Sequence, residues 1–354
     1  MGYAPSARPP SNVSLQLTSA RSSEALRLSA YRDAIASNRA SRILDRPLAA
    51  ELGRWIATSI VSALLMDRGD RRAPSALRQS AYHMQHLLHR IPERGRMIFG
   101  VAIVALGVEH LVCANMAARP FPAQFHAIVI PVIPWIPAHP WLAYVTGAAL
   151  LVAGLSILMN VHARAGALLV GGILLGWNLI LHVPRMVVVP QNWGLRGEVC
   201  EMLALSSAAF ILAGTLPRAD GSAGRWDRAL ANIGRVLFGM SAVVFGVDHF
   251  LALDLIASLV PAWMPGHIFL ASLTGAAMIA AGVSILTKWM GGLGAFGLGM
   301  VFLVFVLTLH VPRVLAAPRS PDEWSSALIA LGMWGASWIC ASVAALAQTH
   351  PIDA

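Results

Sequence analysis

The chain has 354 residues, of which 57% are hydrophobic and only 12% are charged, and its mean hydropathy is positive at +0.65. This composition excludes an ordinary soluble globular protein and predicts a chain rich in membrane-spanning segments. The formal net charge of +9 is concentrated at the N-terminus: residues 1–96 hold 15 arginines against seven acidic residues, a balance of +8 that leaves +1 for the remainder.

Residues 1–92 are predicted to form a basic, partly disordered cytoplasmic extension. Ser, Ala and Arg dominate its first half, which has few large apolar groups. Near 47–66, apolar residues recur at helical spacing with Glu51 and Arg54 between them, a pattern typical of a helix on the membrane surface. The excess of arginine would attract anionic lipid, with a binding free energy of about 1 kcal/mol per basic residue near the membrane surface. No nucleic-acid-binding motif accompanies it, so nucleic acid is not a predicted partner.

Eight apolar stretches follow, each close to the ~20 residues that cross a bilayer as a helix. The fold class is therefore predicted as an all-α polytopic membrane protein with eight transmembrane helices, and the lipid bilayer is its first predicted partner. The predicted spans are residues 97–116, 141–160, 165–183, 199–215, 236–254, 268–287, 293–311 and 325–347.

The second half of the chain repeats the first. At an offset of 128 residues, 132–185 align with 260–313 without a gap, and 25 of these 54 positions are identical. The shared residues include Leu-His-Val-Pro-Arg, at 181–185 and again at 309–313. Such self-similarity indicates an internal duplication. We expect two tandem four-helix bundles, residues 93–215 and 232–347, joined by a linker at 216–231.

Positive charge sets the predicted orientation. Arginines precede the first span and occupy the linker, while Arg164 and Lys288 lie in the tight turns within the repeats. The positive-inside rule places these connections in the cytoplasm, so both termini are expected to be cytoplasmic. The membrane itself is expected to be the inner (plasma) membrane. Four spans per repeat, an even number, give the two repeats the same orientation, as in parallel transporter repeats.

Several short motifs resemble those of the DoxX-like family of small four-helix membrane proteins. They are Arg-x-x-Phe-Gly at 235–239, Gly-Val-Asp-His-Phe at 246–250, Val-Pro-x-Trp-x-Pro at 260–265 and the Thr-Gly pair with a following glycine at 274–282. The resemblance covers one family unit in each half and implies a fused double DoxX. It further implies a role in a membrane redox system, since the family is named after a subunit associated with a quinol oxidase and thiosulfate:quinone oxidoreductase. Membrane redox subunits are thus the expected protein partners, but the family supplies no catalytic residues to transfer.

Polar residues gather at the predicted outer side of both repeats. Because charged groups inside a bilayer cost about 2.5–3.5 kcal/mol each, they usually have partners or a function. The candidate ligand-binding residues are Glu109, His110, His139, His182 and Arg185 in the first repeat, with Asp248, His249, His267, His310 and Arg313 in the second. Asn178, one turn before His182, is replaced by Val306, so the two repeats differ chemically and only one of them need be functional.

Two interpretations of these residues stay open. The arginines could reach lipid phosphate while the other groups hydrogen-bond between helices and stabilise the bundle. Alternatively, they form a site for a quinone or a similar amphiphile, whose oxygen accepts a histidine proton while the carboxylate takes up a released proton. Metal or haem ligation by His110, His139 and His182 is less favoured, because no two of them have a close ligand spacing such as HxxxH, and no metal is predicted.

We therefore expect an accessory or quinone-interacting component of a membrane redox system, with quinone the one cofactor that these residues suggest. A small-molecule transporter or permease is the alternative, since duplicated bundles often hold a substrate pathway between their repeats. A membrane scaffold that recruits partners through residues 1–92 is a third hypothesis. No phosphate loop, nucleophile elbow or zinc-spaced Cys/His set appears, so no catalytic residue is identified and an enzymatic role stays open.

Overall fold

The computed structural model describes residues 75–112, 140–218 and 224–348, and every structural statement below refers to these ranges. They contain eleven α-helices, two five-residue π-helical segments and no strand. The helices are α1 Ser75–Val112, α2 Pro140–Met159, α3 Ala163–Trp177, α4 Val183–Val188, α5 Trp193–Thr215, α6 Arg225–Leu251, α7 Leu253–Leu259, α8 His267–Thr287, α9 Gly291–Phe305, α10 Val311–Ala316 and α11 Pro321–Gln348. The π segments are Asn178–His182 and Val306–His310.

Eight segments are long and apolar enough to cross a membrane, which confirms the predicted all-helical class and number of spans within the described residues. Each π segment continues the helix before it into the short helix after it, so that α3–α4 and α9–α10 each make one span. The eight segments are Ile91–Val112, Trp141–Met159, Ala163–Val188, Trp193–Thr215, Arg225–Leu251, His267–Thr287, Gly291–Ala316 and Pro321–Ala341. This is the organisation of an integral membrane protein in contact with lipid. The predicted surface helix at 47–66 lies outside the described residues.

The duplication is visible in backbone detail. The turn between α2 and α3 has left-handed residues at Asn160 and His162, and the turn between α8 and α9 has them at the equivalent Lys288 and Met290. In both turns a serine hydroxyl of the preceding helix donates a hydrogen bond to a turn carbonyl, at 2.7 Å for Ser284 and Trp289. The two repeats therefore reverse direction by the same local construction.

Packing joins the repeats as closely as it joins the helices within them. Consecutive spans pack together in chain order, and α11 also packs against α1 and against α5. The α5 and α11 spans are the most enclosed, because 56% of the residues in the apolar stretch of each are buried inside the protein. They are therefore the central helices. The last helix of each repeat thus packs against the first helix of the other repeat.

Glycine permits the closest of these helix contacts. A Cβ atom at Gly107 would lie 2.6 Å from the backbone nitrogen of Leu151, and one at Gly246 would lie 2.6 Å from the carbonyl oxygen of Gly275. Real Cβ atoms do not approach backbone so closely, so the α1–α2 and α6–α8 interfaces depend on a residue without a side chain. Small residues have this role in membrane helix packing, because apolar burial alone does not drive association in lipid.

One end of the helices carries a set of bonded arginines, and we call it the arginine end. Arg96 donates to the carbonyl oxygen of Ile157 at 2.5 Å, and the equivalent Arg235 donates to that of Ile285. A cation at these last carbonyls also complements the negative end of the helix dipole. Arg164, the second residue of α3, joins this end through an ion pair of 2.5 Å with Asp227 of α6.

The candidate residues Glu109, His182, Asp248 and His310 lie toward the opposite end, which we call the histidine end. Contacts between the repeats join like ends. At the arginine end Gly95 of α1 lies against Ile339 of α11. At the histidine end Ser325 of α11 donates a hydrogen bond to Glu109 of α1.

Candidate functional site

A cluster of three charged or titratable side chains lies at the histidine end of repeat 1. His182 Nδ1 is 3.1 Å from Glu198 Oε2, and Arg185 Nη1 donates to the same oxygen at 3.0 Å. Arg185 is buried, with 5% of its surface exposed, whereas the Glu198 side chain is 38% exposed. With Asn178, these residues make up what we call the first cluster. Its carboxylate neutralises the arginine and accepts the histidine N–H, so each charged group has a partner.

The local backbone explains why His182 and Arg185 reach the neighbouring helix. Pro184 has no N–H, so it cannot close the usual bond to the carbonyl four residues earlier. The chain instead widens into a π turn, in which the Val183 N–H bonds to the Asn178 carbonyl. Repeat 2 has the same widening, with a bond from the Val311 N–H to the Val306 carbonyl. Single π turns within α-helices occur frequently at functional sites.

Asn178 occupies the start of the first π segment and is almost fully enclosed, with 2% of its surface exposed. Its Nδ2 donates to the carbonyl oxygen of Val199 on α5 at 3.0 Å. Because that carbonyl can only accept, the amide orientation is fixed. The other amide atom, Oδ1, is buried and has no hydrogen-bond partner among the described residues.

The second cluster consists of His310, Arg313 and Glu323 in repeat 2. Arg313 forms a two-pronged pair with Glu323, with Nε–Oε2 and Nη2–Oε1 separations of 2.8 and 3.0 Å. This pair is more open than the first, since the arginine side chain is 44% exposed. His310 Nδ1 is buried and lacks a hydrogen-bond partner within the described part of the chain. The glutamate follows its arginine by 10 residues here and by 13 in repeat 1, so the two clusters are related but not identical.

The predicted acids of α1 and α6 find their partners in the opposite repeat. Glu109 accepts a hydrogen bond from Ser325 of α11, and its second oxygen is buried. Asp248 forms an ion pair with Arg196 of α5, with Nη2 and Oδ1 2.6 Å apart, although the N–H···O angle is too bent for a good hydrogen bond. The arginine also stacks on the Trp193 ring, 4.9 Å from its centroid. Both acids therefore stabilise contacts between the repeats.

The helices α5 and α11 each serve both repeats at this level. Successive residues of an α-helix point about 100° apart, so side chains two positions apart face nearly opposite directions. Glu198 accordingly accepts a hydrogen bond from Arg185 of repeat 1, while Arg196 pairs with Asp248 of repeat 2. In the same way, Glu323 pairs with Arg313 of repeat 2, while Ser325 donates a hydrogen bond to Glu109 of repeat 1.

Two predicted histidines bond to their own helices instead of to the clusters. His110 Nδ1 donates to the Leu106 carbonyl at 2.9 Å, and His249 Nδ1 donates to the Phe245 carbonyl at 2.8 Å. His267 is the first residue of α8 and makes no side-chain hydrogen bond to the described residues. His139 lies outside the described residues. The predicted residues thus divide into two His–Arg clusters, two acids at the repeat interface and histidines placed elsewhere.

Four important partners were missed from the sequence: Arg196, Glu198, Glu323 and Ser325. A signal for two of them was present, because each Leu-His-Val-Pro-Arg motif is followed by a glutamate near the start of the next apolar helix. An acid at that position, close to a buried arginine, is the expected counter-charge. Arg196 and Ser325 gave no comparable signal, since their partners lie in the other repeat.

Residues that could hold a metal are sparse. Within the described ranges, no three His, Cys, Asp or Glu side chains lie close enough together to hold a metal ion. Cys200 and Cys340 are buried thiols without a disulfide. In comparisons with known proteins, no family model, no curated protein and no solved structure matches this chain.

Proposed function

We propose that this chain is a DoxX-like integral membrane protein whose two clusters bind a quinone or a similar amphiphile, as an accessory component of a membrane redox system. The observation that carries the proposal is the first cluster itself: His182 and Arg185 converge on Glu198 at the π turn of an apolar helix. Ionisable residues inside a span are a functional-site hypothesis by default.

The chemistry of the cluster fits a quinone head group. A histidine can exchange a proton with an oxygen of the head group near neutral pH. Glu198 can take a proton that the histidine passes on, while Arg185 holds the carboxylate in place at 3.0 Å. The apolar helices around the cluster match an isoprenoid tail, which partitions into lipid. A polar head site beside a lipid-facing surface is therefore what such a ligand requires.

We also propose an orientation of the protein in the membrane. The repeats lie parallel in an inner (plasma) membrane, the arginine end faces the cytoplasm and the histidine end faces outward. Arg96, Arg164 and Arg235 at one end support this assignment through the positive-inside rule. Contacts between like ends of the two repeats support the parallel arrangement. Residues 1–92 and the end of α11 are then cytoplasmic, and a cysteine accessibility scan from either side of the membrane tests this.

Quinone titration of the purified protein tests the binding role. We expect saturable binding of a short-chain benzoquinone, followed by tryptophan quenching, and a loss of at least about tenfold in affinity for H182A, equivalent to about 1.4 kcal/mol. H267A is the matched control, because His267 lies outside both clusters. Thermal unfolding is measured alongside. Absence of saturable binding refutes the proposal, and equal destabilisation by H182A and H310A without any binding change supports a purely structural role.

Transport is a second candidate function, favoured by the ion pair between Arg196 of repeat 1 and Asp248 of repeat 2. A charged pair between repeats is the position at which transporters of repeated bundles place coupling groups. Purified protein in liposomes, energised by a pH gradient, discriminates the two. Proton flux that D248N abolishes while quinone binding persists would favour transport.

A further inference from the structure

Asn178 of the first cluster presents a hydrogen-bond acceptor, which restricts the chemical group that a ligand can place beside it. Asn178 Oδ1 is an acceptor with no partner among the described residues, and the residue is 2% exposed. The amide cannot be turned to relieve this, because Nδ2 donates to Val199. A buried carbonyl oxygen without a donor destabilises the folded protein. A ligand that supplies a donor would remove that destabilisation.

The histidine of the same cluster offers a second acceptor. His182 Nδ1 faces Glu198 Oε2 at 3.1 Å, and a carboxylate oxygen can only accept, so Nδ1 carries the proton. Arg185 already supplies the positive charge for that carboxylate. In its neutral form the imidazole then has its lone pair on Nε2. Asn178 and His182 are four residues apart across the π turn, close to one turn of this wider helix, and so share one side of it.

We propose that repeat 1 selects the hydroxyl-bearing, reduced form of its ligand, a quinol, and that Asn178 is the specificity-determining residue. This inference rests on the proposed quinone-binding function and deepens it. A quinol hydroxyl donates to Asn178 Oδ1, whereas a quinone carbonyl has no hydrogen to give and would face a second acceptor. The reduced ligand therefore gains a hydrogen bond that the oxidised ligand lacks.

Repeat 2 supplies a natural comparison. Val306 stands where repeat 1 has Asn178, yet the π turn forms there with the same i to i−5 bond. The amide is therefore unnecessary for the backbone geometry. His310 Nδ1 has no partner in the described ranges, so no neighbouring group fixes its tautomer. Val306 accordingly offers no acceptor for a ligand hydroxyl at this position.

The test measures affinities of a short-chain benzoquinone and its quinol for the full-length protein under anaerobic conditions. For wild type we expect the quinol to bind more tightly than the quinone by about threefold to tenfold, the effect of one hydrogen bond. N178V, which installs the residue of repeat 2, should abolish that preference by weakening quinol binding alone. V306N is the matched control and should leave the preference of repeat 1 intact. In wild type, a quinol with both hydroxyls methylated should bind no better than the quinone.

The outcomes separate the two proposals. Saturable binding with equal affinity for quinol and quinone overturns the selectivity and leaves the binding function standing. N178V that weakens both ligands equally, or a methylated quinol that binds as tightly as the quinol, also overturns it, because Asn178 would then act through packing. Absence of saturable binding to wild type overturns the binding function, and the selectivity with it. Should N178V fail to fold, the methylated quinol decides the matter on wild-type protein.

Discussion

Replacing Arg196 by methionine should destabilise the protein by about 2–3 kcal/mol. The substitution leaves Asp248, whose side chain is 11% exposed, without the cation that now lies 2.6 Å away. Removal of one partner from a fully buried pair costs about 3–5 kcal/mol. The lower figure applies here because the arginine is 29% exposed and the carboxyl can relieve its isolation by taking up a proton.

The reverse change, D248N, should cost only about 1 kcal/mol. Arg196 keeps its stacking on the Trp193 ring at 4.9 Å and is exposed enough to turn toward lipid phosphate. The double variant R196M/D248N contains neither charge, so it should be more stable than the sum of the single changes predicts. We expect a coupling energy of about 1–2 kcal/mol.

The free energy of unfolding is measured in mixed micelles with increasing sodium dodecyl sulfate for wild type and the three variants. Effects that add within about 0.5 kcal/mol would show that the two side chains are energetically independent. R196M as stable as wild type would refute the reasoning more directly, since the isolated carboxylate would then carry no penalty. The same double-mutant cycle at low and high salt shows whether solvent ions screen the pair.

Five further variants test other parts of the fold by thermal unfolding. G246A should cost about 1–3 kcal/mol, because the new methyl would lie 2.6 Å from a backbone oxygen of α8, whereas G172A, with no atom within 4 Å, should be neutral or slightly stabilising. R235M should cost about 1–2 kcal/mol through loss of the bonds to the last carbonyls of α8. E198Q should cost about 1–3 kcal/mol because its arginine partner is buried, and E323Q less than about 1 kcal/mol because its partner is exposed. An equal response of the two glycine variants, or of the two glutamate variants, would contradict the packing and burial on which these values rest.

The number of spans could be predicted from the sequence because each one is an apolar run of bilayer length. The π turns could not be predicted, although the proline that causes them is present in each Leu-His-Val-Pro-Arg motif. Pro184 and Pro312 are each the second residue of a short helix that continues the span. One wider helical turn accommodates the missing proline N–H. This local change in backbone geometry cannot be inferred from hydropathy.

The sequence could predict only those contacts of the candidate site that lie within one helix. His182 and Arg185 share a helix turn, so their proximity follows from spacing alone. Their common partner, Glu198, lies on the next helix, and the partners of Glu109 and Asp248 lie in the other repeat. Periodicity within one helix carries no information about such contacts, because they depend on which helices become neighbours.

The exchange of last helices between the repeats has a consequence for how such a chain could arise. An ancestor with four spans would have reached this packing only as a pair of identical chains, each lending its final helix to its twin. Fusion of two such chains would convert a concentration-dependent assembly into one molecule and would leave each half free to diverge, as the difference between Asn178 and Val306 illustrates. The two halves, produced as separate polypeptides in one membrane, should still recognise each other.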